Sequence, residues 1–155
     1  MISRLIGLLK GDPATASAAR FDKVQIAVCA LLLEVAHSDG SFQEIEARVV
    51  HDLLAKRFNL AAEAVAELVA HAQDHRAETH DLFQFAREIN GQFTIDEKLD
   101  VMEGVWRLIY ADGSLDKFED ALARQLATLL RLSHKDVIDR KLKVLEEVRQ
   151  ARAGG

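Results

Sequence analysis

One pattern occurs twice in this chain, and that duplication limits the possible architectures more than any other feature. The segment AHSDGSFQEIE at 36–46 returns as IYADGSLDKFE at 109–119, a shift of 73 residues. Asp39, Gly40 and Ser41 fall on Asp112, Gly113 and Ser114, and Glu46 falls on Glu119. Upstream, Ile26, Val28, Leu32 and Val35 fall on Leu99, Val101, Val105 and Leu108. After one deletion, NLAAEAV at 59–65 aligns with RLSHKDV at 131–137. Each half therefore reads helix, Asp-Gly-Ser turn, helix, short loop, helix. Two apolar helices are expected to pack at the centre, with the rest around them. The reading is an all-α bundle of about seven helices at 21–150, its halves (22–75 and 95–149) related by a pseudo-twofold.

Periodicity and caps place the helices. Val24–Ser38 is apolar nearly all round, as a buried central helix must be. Ser41 and Glu44 have capping-box spacing before the stripe Phe42, Ile45, Val49 and Leu53. A third helix is expected at 61–75 with Val65, Leu68 and Val69 inward. A short bridging helix follows at 80–90 with Leu82, Phe85, Ala86 and Ile89, closed by Asn90-Gly91 because glycine accepts a left-handed cap. Thr94 and Glu97 form a second capping box, before Leu99, Met102, Val105, Trp106 and Ile109. The sixth helix, 115–130, turns Leu115, Phe118, Leu122, Leu126 and Leu129 inward. Ser133 caps the seventh, with Val137, Leu142 and Leu145 as its apolar positions. No segment sustains the alternation of a strand.

Composition agrees with this class and excludes several functions. Nine Gly and Pro among 155 residues are few turn formers for an all-β protein. A single cysteine, Cys29, excludes an intramolecular disulfide framework and a multi-cysteine zinc site. The net charge of −5 argues against nucleic acid as a partner. Charge is uneven: +2 over residues 1–23, −10 over 24–130 and +3 over 131–155. An acidic middle suits cations or basic partners, or simply a solvated surface. The apolar run Ile26–Ala36, broken by Glu34, is far short of the ~20 residues of a membrane span. Residues 1–10, MISRLIGLLK, are too short and too charged for a secretory signal, so a cytoplasmic location is expected. Peripheral membrane association through that amphipathic segment is the remaining membrane reading. Residues 1–20 are taken as this segment and a linker containing Pro13.

These residues resemble a known family. An apolar helix ending in Asp-Gly, a glutamate seven residues after that Asp, and a later Leu-Ala or Leu-Ser helix start all occur twice. In this the chain is similar to the bacterial tellurite-resistance TerB-like family, over roughly 22–148. YADGSLDKFE matches better than the first copy, where Ser38 stands in place of the commoner alanine. The resemblance implies a compact seven-helix domain acting in stress or metal-oxyanion responses. Related domains are joined to a membrane-anchored J-domain cochaperone, which implies a sensing or interaction module with protein partners; no catalytic activity is established for the family.

The Asp-Gly-Ser turns have two readings. As structure, Gly40 and Gly113 stop helices, Ser41 and Ser114 start them, and Asp39 and Asp112 accept amides at a positive helix end. As a site, Asp39, Glu46, Asp112, Asp116 and Glu119 offer oxygen ligands for a hard divalent cation, Ca²⁺ or Mg²⁺. The spacing is not that of an EF-hand, since glycine stands second instead of sixth. His71 and His75 share a helix face near Asp74 and Glu78, yet no third zinc ligand accompanies them. Cys29 reads as a buried thiol and Trp106 as core. The leading expectation is a non-catalytic binding or scaffold module. A metal-dependent hydrolase lacks a recognisable nucleophile or base. A structural partner of a membrane-associated complex is the third possibility.

Overall fold

A computed structural model describes residues 21–38, 43–78, 81–111 and 120–154. Among the described residues it contains seven helices and no strand: α1 (Lys23–Ala36), α2 (Glu44–Phe58), α3 (Ala62–Glu78), α4 (Leu82–Gln92), α5 (Ile95–Ile109), α6 (Asp120–Leu129) and α7 (His134–Gly154). The all-α class expected from the sequence is the class observed.

The all-round apolarity of α1 has its cause in its neighbours: it packs against α2, α3, α4 and α5. Cys29, Ala30, Leu31 and Leu33 have no exposed surface. The second central helix, α5, packs against α1, α2, α6 and α7, and Leu99, Met102, Val105, Trp106 and Ile109 are all buried as expected. Leu32 of α1 and Leu53 of α2 both approach Gly104 of α5. From there Arg57 reaches forward to Glu97 and Asp100, so α2 and α5 run antiparallel. α1 packs on α2 across a short connection, as antiparallel neighbours do. One mostly buried ion pair, Arg76 Nε to Glu34 Oε1 at 2.8 Å, ties α3 to α1.

Two caps form as read. Thr94 Oγ1 accepts the Glu97 amide at 3.2 Å, and the Thr94 amide donates to Glu97 Oε1 at 2.9 Å. Ser133 Oγ accepts the Asp136 amide at 3.2 Å. The start of α2 differs. Glu44 is its first residue and Gln43 its cap, with the Gln43 amide donating to Glu46 Oε1 at 3.0 Å. The shift puts Glu44 and Glu46 in the first turn, where the helix dipole favours negative charge. Ser41, Phe42, Leu115 and Phe118 lie outside the described residues, as do both Asp-Gly-Ser turns.

Three further expectations change. The buried face of α2 is Val50 and Leu54, not Ile45, which is 41% exposed; Val49 and Leu53 pack at its margin. On α7, Leu142 is exposed and Val144 is buried in its place. Gly91 does not end α4, which continues to Gln92 and closes with the Phe93 amide donating to Ile89 O at 2.8 Å. Asn90 must stay helical because it bridges outward: its Nδ2 donates to Leu129 O at 2.9 Å, and its Oδ1 accepts from Lys98 Nζ at 3.1 Å.

Left-handed residues occur instead at Asn59 (φ 52°) and Arg131 (φ 59°), the two positions that the repeat aligns. In each corner the following leucine donates back, Leu60 to Ala55 O and Leu132 to Ala127 O, both at 3.0 Å. These are Schellman closures, which satisfy the last carbonyls of a helix. A new helix starts two residues on, at Ala62 and at His134.

Candidate functional site

Of the acidic residues proposed for a cation, Asp39, Asp112, Asp116 and Glu119 lie outside the described residues. Glu46 lies within them, and its carboxylate caps α2. No group of three or more His, Cys, Asp or Glu positioned to hold a metal occurs among the described residues. His71 and His75 each face a phenylalanine: His71 meets Phe21 edge-on at 5.9 Å, and His75 meets Phe85 at 6.1 Å. Burial pushes the Cys29 thiol up to about 12, a thiol and not a nucleophilic thiolate at neutral pH.

Part of the acidic middle is neutralised within the fold. Glu97, Asp100 and Glu103 line successive turns of α5. Arg57 of α2 donates to Glu97 at 2.7 Å. Arg140 of α7 donates to Asp100 at 2.8 Å and to Glu103 at 3.3 Å, and Lys143 donates to Glu103 at 3.1 Å. Arg107 joins Glu103 to Glu147. The Thr94 amide, with Arg57, holds the Glu97 carboxyl below its usual range. Burial alone would raise Glu103, but hydrogen bonds from Arg107 and Lys143 outweigh it and hold this carboxyl down. Sequence reading misses these partners because some 40 residues separate them.

Basic charge collects on the other side of α5. A groove of about 160 Å³ runs between α5, α6 and α7. Trp106, Ala127, Leu132, Val137 and Ile138 give it apolar surface. Arg124, His134 and Lys141 join them with Thr128, and among the described residues no carboxylate lines the groove. Helical packing builds this arrangement. On α7, positions 134, 137, 138 and 141 share one face over two turns, while 124, 127 and 128 share one over a single turn of α6. Between them lies Trp106, 3% exposed and stacked on Tyr110 at 6.3 Å between centroids. The Lys141 ammonium sits 5.2 Å from the indole centroid, within cation–π range. The sequence signals this groove weakly, since of its lysine and arginine residues only Lys141 belongs to the +3 stretch at 131–155. A wider cleft of about 440 Å³ between α1, α3 and α4 carries both signs, with Lys23, Arg87 and Glu88 in its lining.

Compared with known proteins, residues 25–142 match the family described as tellurite resistance protein TerB. No curated protein matches the chain significantly. A solved structure of a protein of unknown function from Porphyromonas gingivalis W83 has a similar fold, with a TM-score of 0.58 and 18% identity. The similarity covers 79% of this chain and 97% of that one.

Proposed function

The chain belongs to the tellurite resistance protein TerB family, and from that membership we propose that it is a non-catalytic binding or scaffold module of a tellurite-resistance-type stress response. The observation that carries this reading is the groove between α5, α6 and α7, where apolar surface and three basic side chains meet. A concave apolar site with a few placed polar groups is what recognition requires. Cys29, the chain's one cysteine, is sealed in the core, which fits a module that recognises without forming covalent intermediates.

Two further parts of the reading stand as proposals. A divalent cation, Ca²⁺ or Mg²⁺, is held by Asp39, Asp112, Asp116 and Glu119, with Glu46 divided between that role and its cap. The support is the oxygen-rich chemistry of the two Asp-Gly-Ser segments, each of which follows an apolar helix. The protein works in the cytoplasm, with peripheral membrane contact through residues 1–10; among the described residues no helix is long and apolar enough to cross a membrane.

The test is complementation. In cells lacking the chain, the wild type should restore tolerance of tellurite. An Arg124→Glu, Ile138→Glu double variant of unchanged melting temperature should not. Turnover of any substrate by the purified chain would overturn the non-catalytic reading. Calorimetric titration of Ca²⁺ and Mg²⁺, with Asp112→Asn as control, tests the cation separately.

A further inference from the structure

We propose that the groove between α5, α6 and α7 docks an acidic segment of a protein partner. One apolar side chain of that segment rests against Trp106, and its flanking carboxylates face Arg124, His134 and Lys141. The proposal rests on the binding-module reading and supplies the chemistry of its occupant.

Size sets the first limit. About 160 Å³ holds one large side chain, not a folded element. The lined face of α7 spans two helical turns, roughly 10 Å, which leaves room for chain on either side of the inserted residue. Charge sets the second. Arg124 is exposed, and His134 opens α7 at the positive end of the helix dipole. A partner that brings carboxylates meets complementary potential here and is repelled by the acidic remainder of the chain.

The same features reject other occupants. Residues 1–10 of this chain are apolar but carry Arg4 and Lys10, the wrong sign for this site. A flat bilayer surface does not reach an indole that is 3% exposed within a concave groove. A free small anion would leave the apolar lining uncovered.

The chain's single tryptophan lies in the groove, so its emission reports occupancy. The full chain is titrated with the blocked peptide Glu-Asp-Leu-Phe-Asp-Glu while Trp106 fluorescence is followed. A saturable change that weakens with salt is expected. Arg124→Glu should weaken binding about tenfold, Arg124→Lys should restore most of it, and a peptide with lysine at every acidic position should bind only the Arg124→Glu protein. Exposed Arg124 leaves the fold intact in these variants. The proposal is overturned if the lysine peptide binds the wild type equally, or if inorganic phosphate alone gives the same response. It is overturned equally if anionic phosphatidylserine vesicles bind while the peptide is silent, or if the signal tracks self-association of the chain. Silence of the peptide while groove substitutions still abolish tellurite tolerance refutes this occupant and leaves the binding-module reading standing. Peptide binding with tolerance unaffected by those substitutions supports the docking chemistry and refutes the cellular role.

Discussion

Gly104→Ala should stabilise this protein. Gly104 sits inside α5, facing Leu32 of α1 and Leu53 of α2. A β-carbon added there would lie 3.2 Å from Leu53 Cδ1 and 3.7 Å from Leu32 Cδ2. Two effects favour the change. Glycine in a helix interior is less favourable than alanine by about 0.8–1.0 kcal/mol. The new methyl is buried, which contributes roughly 0.8 kcal/mol more. One effect opposes it. A contact of 3.2 Å is inside the ordinary carbon separation of about 3.5–4.0 Å, so Leu53 must give way by a few tenths of an ångström. Space for that movement exists: a cavity of about 40 Å³ is lined by Leu53, Leu32, Val28 and Gly104 itself. Leu53 is also only half-buried. The movement should therefore cost less than the ~1–3 kcal/mol of a rigid overpacked core. The net gain is about 0.5–1.5 kcal/mol, and each kcal/mol raises the melting temperature of a chain this size by roughly 2–4 °C. Gly104→Val exceeds the available space and should destabilise by about 1–3 kcal/mol. Urea unfolding followed by circular dichroism measures both. A lower midpoint for the alanine variant, or an unchanged one for valine, would refute this account of the α1–α2–α5 contact.

Other variants probe separate features. Arg131→Gly should stabilise by about 0.5–1 kcal/mol, since arginine at a left-handed φ costs roughly 1–2 kcal/mol and glycine returns part of that through its own entropy. Asn59→Gly should change little because asparagine tolerates that region; equal effects at both positions in denaturant melts would contradict the argument. Cys29 should resist a thiol reagent such as DTNB in the native state at pH 8 and react only as fast as the chain opens, because burial pushes its pKa up to about 12. Prompt labelling would place the thiol outside the core. Glu103 has a depressed pKa, so its contribution is present above the unfolded carboxylate value of about 4.3 and is lost as pH falls through the folded one. Glu103→Gln should thus cost up to about 1 kcal/mol at pH 7 and nothing in strong acid, measured by melting across pH. A cost that persists in strong acid would show that packing, not charge, is what the substitution removes.

Helix number and order were legible because each helix is marked locally. The box at Thr94 and Glu97, the cap at Ser133 and the unbroken apolarity of α1 each follow from residues within one element. The face of α2 was not legible, for a physical reason. Ile45, Val49, Val50, Leu53 and Leu54 contain two overlapping stripes about 100° apart, and only the position of α1 and α3 decides between them. Gly91 misled because glycine commonly ends helices, whereas here Asn90 is held in the helix by bonds to α5 and α6. The groove needed the tertiary fold, since Trp106, Arg124 and Lys141 come from three helices. The repeat, after its one deletion, aligns Asn59 with Arg131, but nothing in it marks either as a left-handed corner. Superposing the two halves as rigid bodies tests the duplication as a whole.

The two walls of the groove differ mechanically. α7, with 21 residues, is riveted to α5 by Arg140, Lys143 and Glu147. Among the described residues, α6 meets its neighbours through apolar contacts and the Asn90 side-chain bond to Leu129 O. Ion pairs thus fix the α7 wall, while the described part of α6 relies on packing, and because α6 also packs on α4 the apolar wall of the groove is continuous with the packing of that helix.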